Sequence, residues 1–138
     1  MIRVFCNRRG SGKTKKLIEL ANNYIDKAKG DSVYIDKNTK HRSSLNWKIR
    51  FVSMEEFKIS DCNGFYGFLC GMISANYDVE NIYIDEFLSI VSCDINDTYY
   101  LFNKLRSLTK QYNINLFINI DSEENVPSFL KEYICDAA

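Results

Sequence analysis

The order of segments in residues 2–36 constrains the fold of this chain more than any other feature. Ile2-Arg3-Val4-Phe5-Cys6 is a short β-branched and aromatic run that stops at the polar, glycine-containing segment Asn7-Arg8-Arg9-Gly10-Ser11-Gly12. It reads as a buried strand entering a loop. From Lys13 onward the apolar residues Leu17, Leu20, Ala21, Tyr24, Ile25 and Ala28 recur at helical spacing, and Gly30 marks the expected stop. Ser32-Val33-Tyr34-Ile35-Asp36 is a second strand-like run. Strand, helix and strand over this length form the parallel βαβ unit, because parallel strands need a crossover and a helix supplies it.

The rest of the chain extends the pattern. Lys37 to Trp47 has no period and reads as a loop, Lys48 to Val52 as a third strand, and Ser53 as the cap of a short helix with Glu55 and Glu56 in its first turn. A helix is predicted between Phe65 and Ala75, a compact strand over Asn81-Ile82-Tyr83-Ile84-Asp85-Glu86, and a helix from Asp97 to Gln111 with Asp97 as N-cap. Ile114 to Ile120 is a further strand, and Val126 to Ile134 a last helix with Pro127 in its first turn. No internal repeat or linker interrupts the sequence. The expectation is a single domain over residues 1–138, a three-layer α/β/α sandwich on a mostly parallel sheet of about five strands.

Composition narrows the functional classes. The 138 residues are about one domain's worth, so no second catalytic domain is expected. Eighteen Lys and Arg balance eighteen Asp and Glu, so no overall charge excess announces nucleic acid or membrane as partner, although a local patch is compatible with that balance. Fourteen Asn and twelve Lys lower the weight of any single Asn or Lys. The five cysteines include no CxxC pair and stand beside one histidine, which indicates neither a zinc site nor a disulfide framework but reduced thiols in or near the core. No apolar run reaches the roughly 18 residues of a membrane span, and the N-terminal run is too short for a signal peptide. The expected compartment is the cytoplasm, with no membrane partner.

Gly10-Ser11-Gly12-Lys13-Thr14 stands after the first strand and opens the first helix. Phosphate binding needs these residue types there: glycines let backbone N–H groups close around phosphate oxygens, and the helix N-terminus adds partial positive charge. Lys13 would reach the β- and γ-phosphates and the Thr14 hydroxyl would ligate Mg²⁺. Asn7 stands where the full pattern expects its first glycine, and of the non-glycine residues Asn best tolerates a left-handed backbone. A plain turn before a helix is the alternative. At the end of the strand over Asn81 to Glu86, Asp85 is placed to hold Mg²⁺ through water and Glu86 to polarise an attacking water.

These residues resemble the P-loop NTPases, with Walker A over the loop and Walker B over Ile82 to Glu86. The Asp85-Glu86 pair is similar to the branch with an additional strand and a catalytic glutamate, and Arg9-Gly10-Ser11-Gly12-Lys13-Thr14 to the loops of phage terminases and small phage-encoded ATPase-like proteins. The resemblance implies ATP or GTP as ligand, Mg²⁺ as cofactor, and Asn7, Arg8, Arg9, Gly10, Ser11, Gly12, Lys13 and Thr14 as the nucleotide-binding segment. It also implies a polar sensor at the end of the strand after Walker B, where Asn119 stands, with Asp121 as the alternative. Phage origin would place the protein in a bacterial host cytoplasm.

Slow nucleotide hydrolysis by a minimal core, using Lys13, Glu86 and Asn119, is the expected function, with DNA or RNA transactions as its natural setting. In that setting the chain would work as a homo-oligomer or beside a partner protein. A nucleotide-gated binding module or inhibitor of a partner protein, with little catalysis, is the alternative. A small-molecule kinase is a third possibility, although no Arg-rich lid stands between Ser122 and Ala138. Arg8, Arg9 and Arg106 are finger candidates or plain surface arginines. Lys37, Lys40, His41, Arg42 and Trp47 form a basic stretch with one aromatic, which is either a contact for single-stranded nucleic acid or an exposed loop.

Overall fold

Alternation along the strands decides how this chain is layered. The computed structural model describes residues 1–123 and 125–135. Its elements are β1 (Ile2–Asn7), α1 (Lys13–Tyr24), β2 (Asp31–Asp36), β3 (Arg50–Ser53), α2 (Cys62–Ala75), β4 (Val79–Ile84), α3 (Phe87–Val91), α4 (Tyr99–Tyr112) and β5 (Asn115–Asp121). The strands lie side by side in the order β1-β5-β4-β2-β3, and every pairing is parallel. The expected α/β class is observed, and the sheet expected to be mostly parallel is wholly so.

On one face Val33 and Ile35 of β2, Ile82 and Ile84 of β4, and Leu116 and Ile118 of β5 pack against α2, α3 and α4. The alternate positions are aromatic. Phe51, Tyr34, Tyr83 and Phe117 stand in register on β3, β2, β4 and β5. Their ring centroids are 6.2, 6.3 and 4.9 Å apart along the row, and each neighbouring pair is stacked. Leu17, Ile18 and Ala21 of α1 cover the tyrosines and Phe117. Each cross-strand aromatic pair adds roughly 0.5–1 kcal/mol beyond the burial of its area. Helices on both faces complete three layers.

Two residues beyond the rings of β2, β4 and β5 the same face becomes polar. Tyr34 is followed by Asp36, Tyr83 by Asp85 and Phe117 by Asn119, and all three polar side chains are buried. They lie at the carboxyl ends of the strands, where ligands bind in open α/β sheets.

Several element boundaries differ from the sequence pattern for local reasons. α1 ends at Tyr24, and the Lys27 and Ala28 N–H groups turn back to the Tyr24 carbonyl. The Ser53 hydroxyl donates to the Lys37 carbonyl rather than capping, so Met54–Phe57 is only a 3₁₀ turn. α2 starts three residues before Phe65, because the Asp61 carboxylate accepts from the Gly64 N–H and fixes its first turn. α4 is not capped by Asp97. The Asp94 carboxylate accepts from the Asn96 N–H at 2.9 Å, builds a 3₁₀ turn over Ile95–Thr98, and α4 starts after it. The predicted last helix is a 3₁₀ segment, Ser128–Tyr133, because the chain is drawn into extension at Ile134, which bridges Val4 on the outer edge of β1.

The five cysteines are free, half-buried thiols. The sulfurs of Cys62 and Cys93 are 3.4 Å apart. Burial and then the Cys62 contact push the Cys93 thiol up to about 12, so it stays protonated at neutral pH. Among the described residues no helix is long and apolar enough to cross a membrane.

Candidate functional site

The loop between β1 and α1 turns on two glycines. Gly10 has φ 82° and Gly12 φ 91°, and a Cβ at either would meet nothing within 4 Å. The need for glycine is therefore conformational, since an L side chain in this region costs about 1–2 kcal/mol. Asn7 does not take the left-handed backbone that its position suggested. It ends β1 in register with Asp121, and its side-chain carbonyl accepts from the Arg8 N–H at 2.8 Å. Gly12 brings no side chain to cap α1, so its first turn lacks the hydrogen bond an N-cap side chain supplies.

Lys13, in the first turn of α1, folds back over this loop and is only 6% exposed. Its Nζ donates to the carbonyls of Asn7 at 3.0 Å and Arg8 at 2.9 Å, contacts Ser11 Oγ at 3.3 Å, and pairs with Asp121 Oδ1 at 2.6 Å. Asp121 stands at the end of β5, beside Asn7. Its other oxygen lies 3.6 Å from Arg9 Nε, and the same guanidinium reaches Glu86 Oε1 at 3.9 Å. Arg9 is exposed, so these two contacts contribute little to stability.

Asp85 follows β4 and is buried. Its Oδ2 accepts from the Tyr34 hydroxyl at 3.1 Å, and its Oδ1 from Asn119 Nδ2 at 3.2 Å and the Glu86 N–H at 2.9 Å. Burial and the neighbouring Asp85 carboxylate raise the Tyr34 hydroxyl above its usual range, so it remains a donor. Glu86 caps α3 with φ 51°. A left-handed glutamate stores on the order of 1 kcal/mol of strain, and the bend turns the chain from β4 into α3, whose Phe87, Ile90 and Val91 join the core beside α2 and α4.

Asp36 lies beside Asp85, one residue beyond the paired positions Ile35 and Ile84. It is 1% exposed; Oδ1 accepts from the Lys37 N–H at 2.7 Å while Oδ2 has no partner among the described residues. Burial first and Asp85 second push its carboxyl up to about 7. Neither Asp36 nor Tyr34 stood out in the sequence as a site residue, although a signal was present. Tyr34-Ile35-Asp36 repeats Tyr83-Ile84-Asp85.

A cleft of about 520 Å³ opens over these groups. Arg9, Gly10, Gly12, Lys13, Thr14, Asp85, Glu86 and Asp121 line it, together with His41 and Ser44 from the β2–β3 loop. Asn7, Arg8 and Ser11 form the wall of the loop, and Asn119 joins through Asp85. Arg106 lies apart from this lining and pairs with Glu132 at 3.4 Å. Part of the stretch in which a kinase lid would fall, Glu124 and residues 136–138, lies outside the described residues.

The oxygen donors here suit a hard cation such as Mg²⁺. Both Asp85 oxygens already accept hydrogen bonds, so Asp85 suits an outer-sphere role through water, while the half-buried Thr14 hydroxyl lines the same cleft. Among the described residues no three His, Cys, Asp or Glu side chains gather around a common centre. An ion here therefore needs oxygens from a ligand to complete its shell. No model of a known protein family matches the chain, and a search of curated proteins returns no match.

Proposed function

We propose that this chain binds a nucleoside triphosphate, ATP or GTP, with its phosphates in the loop cleft, and hydrolyses it slowly with Mg²⁺. The observation that carries the proposal is Lys13: a buried ammonium held at the mouth of a glycine loop, opposite two carboxylates at the end of β4. Burying such a charge is costly unless anions and carbonyls surround it, and a phosphate is an anion of matching chemistry. The position of β5 between β1 and β4 also supports this, since it provides an additional strand of the kind found in the resembled branch.

In this mechanism the first-turn N–H groups of α1 and Lys13 bind and orient the phosphates. Thr14 and Asp85 would hold Mg²⁺, which offsets phosphate charge when bound. Glu86 takes a proton from the attacking water, and Asn119 and Tyr34 fix the Asp85 carboxylate. Glu86→Gln is expected to leave nucleotide affinity within about threefold and to lower turnover by about 10²–10⁴. Phosphate release under single-turnover conditions tests it, and unchanged turnover would remove Glu86 from the mechanism.

Asp121 supplies a second prediction. It pairs with both Lys13 and Arg9, so an incoming phosphate competes with it. Asp121→Asn is expected to tighten nucleotide binding by about three- to tenfold, measured by titration with a fluorescent nucleotide. Equal or weaker affinity would show that the pair does not oppose binding. The same exchange of anions favours a nucleotide-gated binding module as the second reading. Tight nucleotide binding with no turnover in the unaltered protein would select it.

A further inference from the structure

We propose that the loop joining β2 to β3 is a binding surface for a single-stranded polynucleotide, with Trp47 as the platform on which an unpaired base stacks. Three independent observations converge on it. Trp47 is 86% exposed, the most exposed of the large hydrophobic side chains. An indole left in water is unfavourable by on the order of 2 kcal/mol relative to burial, and the loop around it offers no apolar cover.

Charge is the second observation. From Lys37 to Met54 the sequence contains Lys37, Lys40, Arg42, Lys48 and Arg50 and no acidic residue. The chain is neutral overall, so the rest of it carries a net charge of −5 and this segment +5. Lys40, Arg42, Lys48 and Arg50 are exposed. Lys48 pairs with Asp26 at 3.1 Å and lies 5.9 Å from the Trp47 ring centre.

Order is the third. Asn22 of α1 clamps the loop, its amide donating to the Ser44 carbonyl at 2.9 Å and its carbonyl accepting from the Asn46 N–H at 2.8 Å. Arg42 lies over the Phe51 ring at 5.1 Å, and Ile49 is buried beneath. These contacts order the backbone on either side of Trp47, which lowers the entropy cost of binding.

The combination favours one class of partner. An exposed ring with Lys48 beside it, in a segment of charge +5, matches a strand whose bases are unpaired and whose phosphates lie alongside. In a duplex the base faces are already stacked, and a membrane surface calls for several exposed apolar side chains together, whereas Leu45 and Ile49 are turned partly or wholly inward. His41 and Ser44 of this loop also line the nucleotide cleft. Communication between the two sites would rest on the nucleotide proposal, but strand binding does not.

The test uses the full chain without added nucleotide, so failure of nucleotide binding leaves its outcome unaffected. Fluorescence anisotropy is read with labelled DNA and RNA oligonucleotides of about twelve nucleotides. Binding of either is expected, weakened by roughly 50-fold between 50 and 200 mM salt if about four phosphates are neutralised. Trp47→Ala should lose about tenfold and Trp47→Tyr much less, because stacking needs a ring. Paired replacement of Lys40 and Arg42 by Ala should flatten the salt dependence. The proposal is overturned by absence of binding, by a Trp47→Ala variant that binds as tightly as the original, or by preference for duplex or for phosphatidylserine vesicles.

Discussion

Nucleotide affinity is expected to fall at least a hundredfold when Lys13 is replaced by alanine. Two losses combine. The phosphate loses a buried, charge-assisted donor, and the Asn7 and Arg8 carbonyls lose the ammonium that draws the loop together. Asp121 is left without its closest cation but is partly exposed, so the folded state should weaken by only about 1 kcal/mol. Titration with a fluorescent nucleotide separates the two, provided urea midpoints show that the variant folds. Lys13→Arg should not restore binding, because a planar guanidinium does not reproduce the contacts of a compact ammonium inside the loop. Affinity for Lys13→Ala within about threefold of the original would dismiss the cleft as a phosphate site.

Asp36→Asn is expected to make the protein more stable, by an amount that depends on pH. The Asp36 carboxyl is pushed up to about 7 in the folded chain, against about 3.9 when unfolded. Between these values the folded state holds a proton that the unfolded state has lost. Stability therefore falls as pH rises from about 4 to 7, and above 7 the loss is complete. Across the window it amounts to on the order of 4 kcal/mol at most. Asparagine keeps an acceptor for the Lys37 N–H and carries no charge. Chemical denaturation at about pH 4.5 and pH 8 should show little difference between the two proteins at the lower pH and the variant ahead by a few kcal/mol at the higher. A difference that does not change with pH would mean that Asp36 does not titrate in this range. Retaining such a residue beside Asp85 fits a site in which stability is sacrificed locally.

Much of the layout was legible because strand and helix periods differ so clearly in this chain. Ile2 to Cys6, the stripe from Leu17 to Ile25 and the run from Asn81 to Ile84 each match one template only, and β1, α1 and β4 formed there. The site residues on those elements were legible for the same reason, since a glycine loop and a carboxylate pair are local features. Interactions between distant segments were less accessible. α3 has no clear period in the sequence because Phe87 to Val91 is barely longer than one helical turn, and it is held by Phe87 packing edge-on between Phe65 and Phe102. The expected Asp97 cap is displaced because Asp94, three residues earlier, builds a 3₁₀ turn that takes in Asp97 and delays α4 to Tyr99. Lys13 pairs with Asp121 across more than a hundred residues, and only the register of β1 on β5 brings them together. Asp36 ends its strand and Asp85 follows another, and only the pairing of β2 with β4 sets the two carboxylates side by side.

The sheet order also sets a sequence of events during synthesis. β1 is the first of the five strands to be made, yet among the described residues its full strand neighbour is β5, the last of the five, and β5 is also what joins β1 to β4. While a ribosome still holds β5, the glycine loop and the Asp85-Glu86 end belong to two pieces with no shared ladder. The Lys13–Asp121 pair cannot yet exist, and β1 carries an open edge that invites wrong partners. Insertion of β5 closes that edge and assembles the cleft in one step. Folding should therefore be late and slow for a chain of this size, as non-local parallel pairing requires, and the cleft should appear together with the final sheet rather than before it.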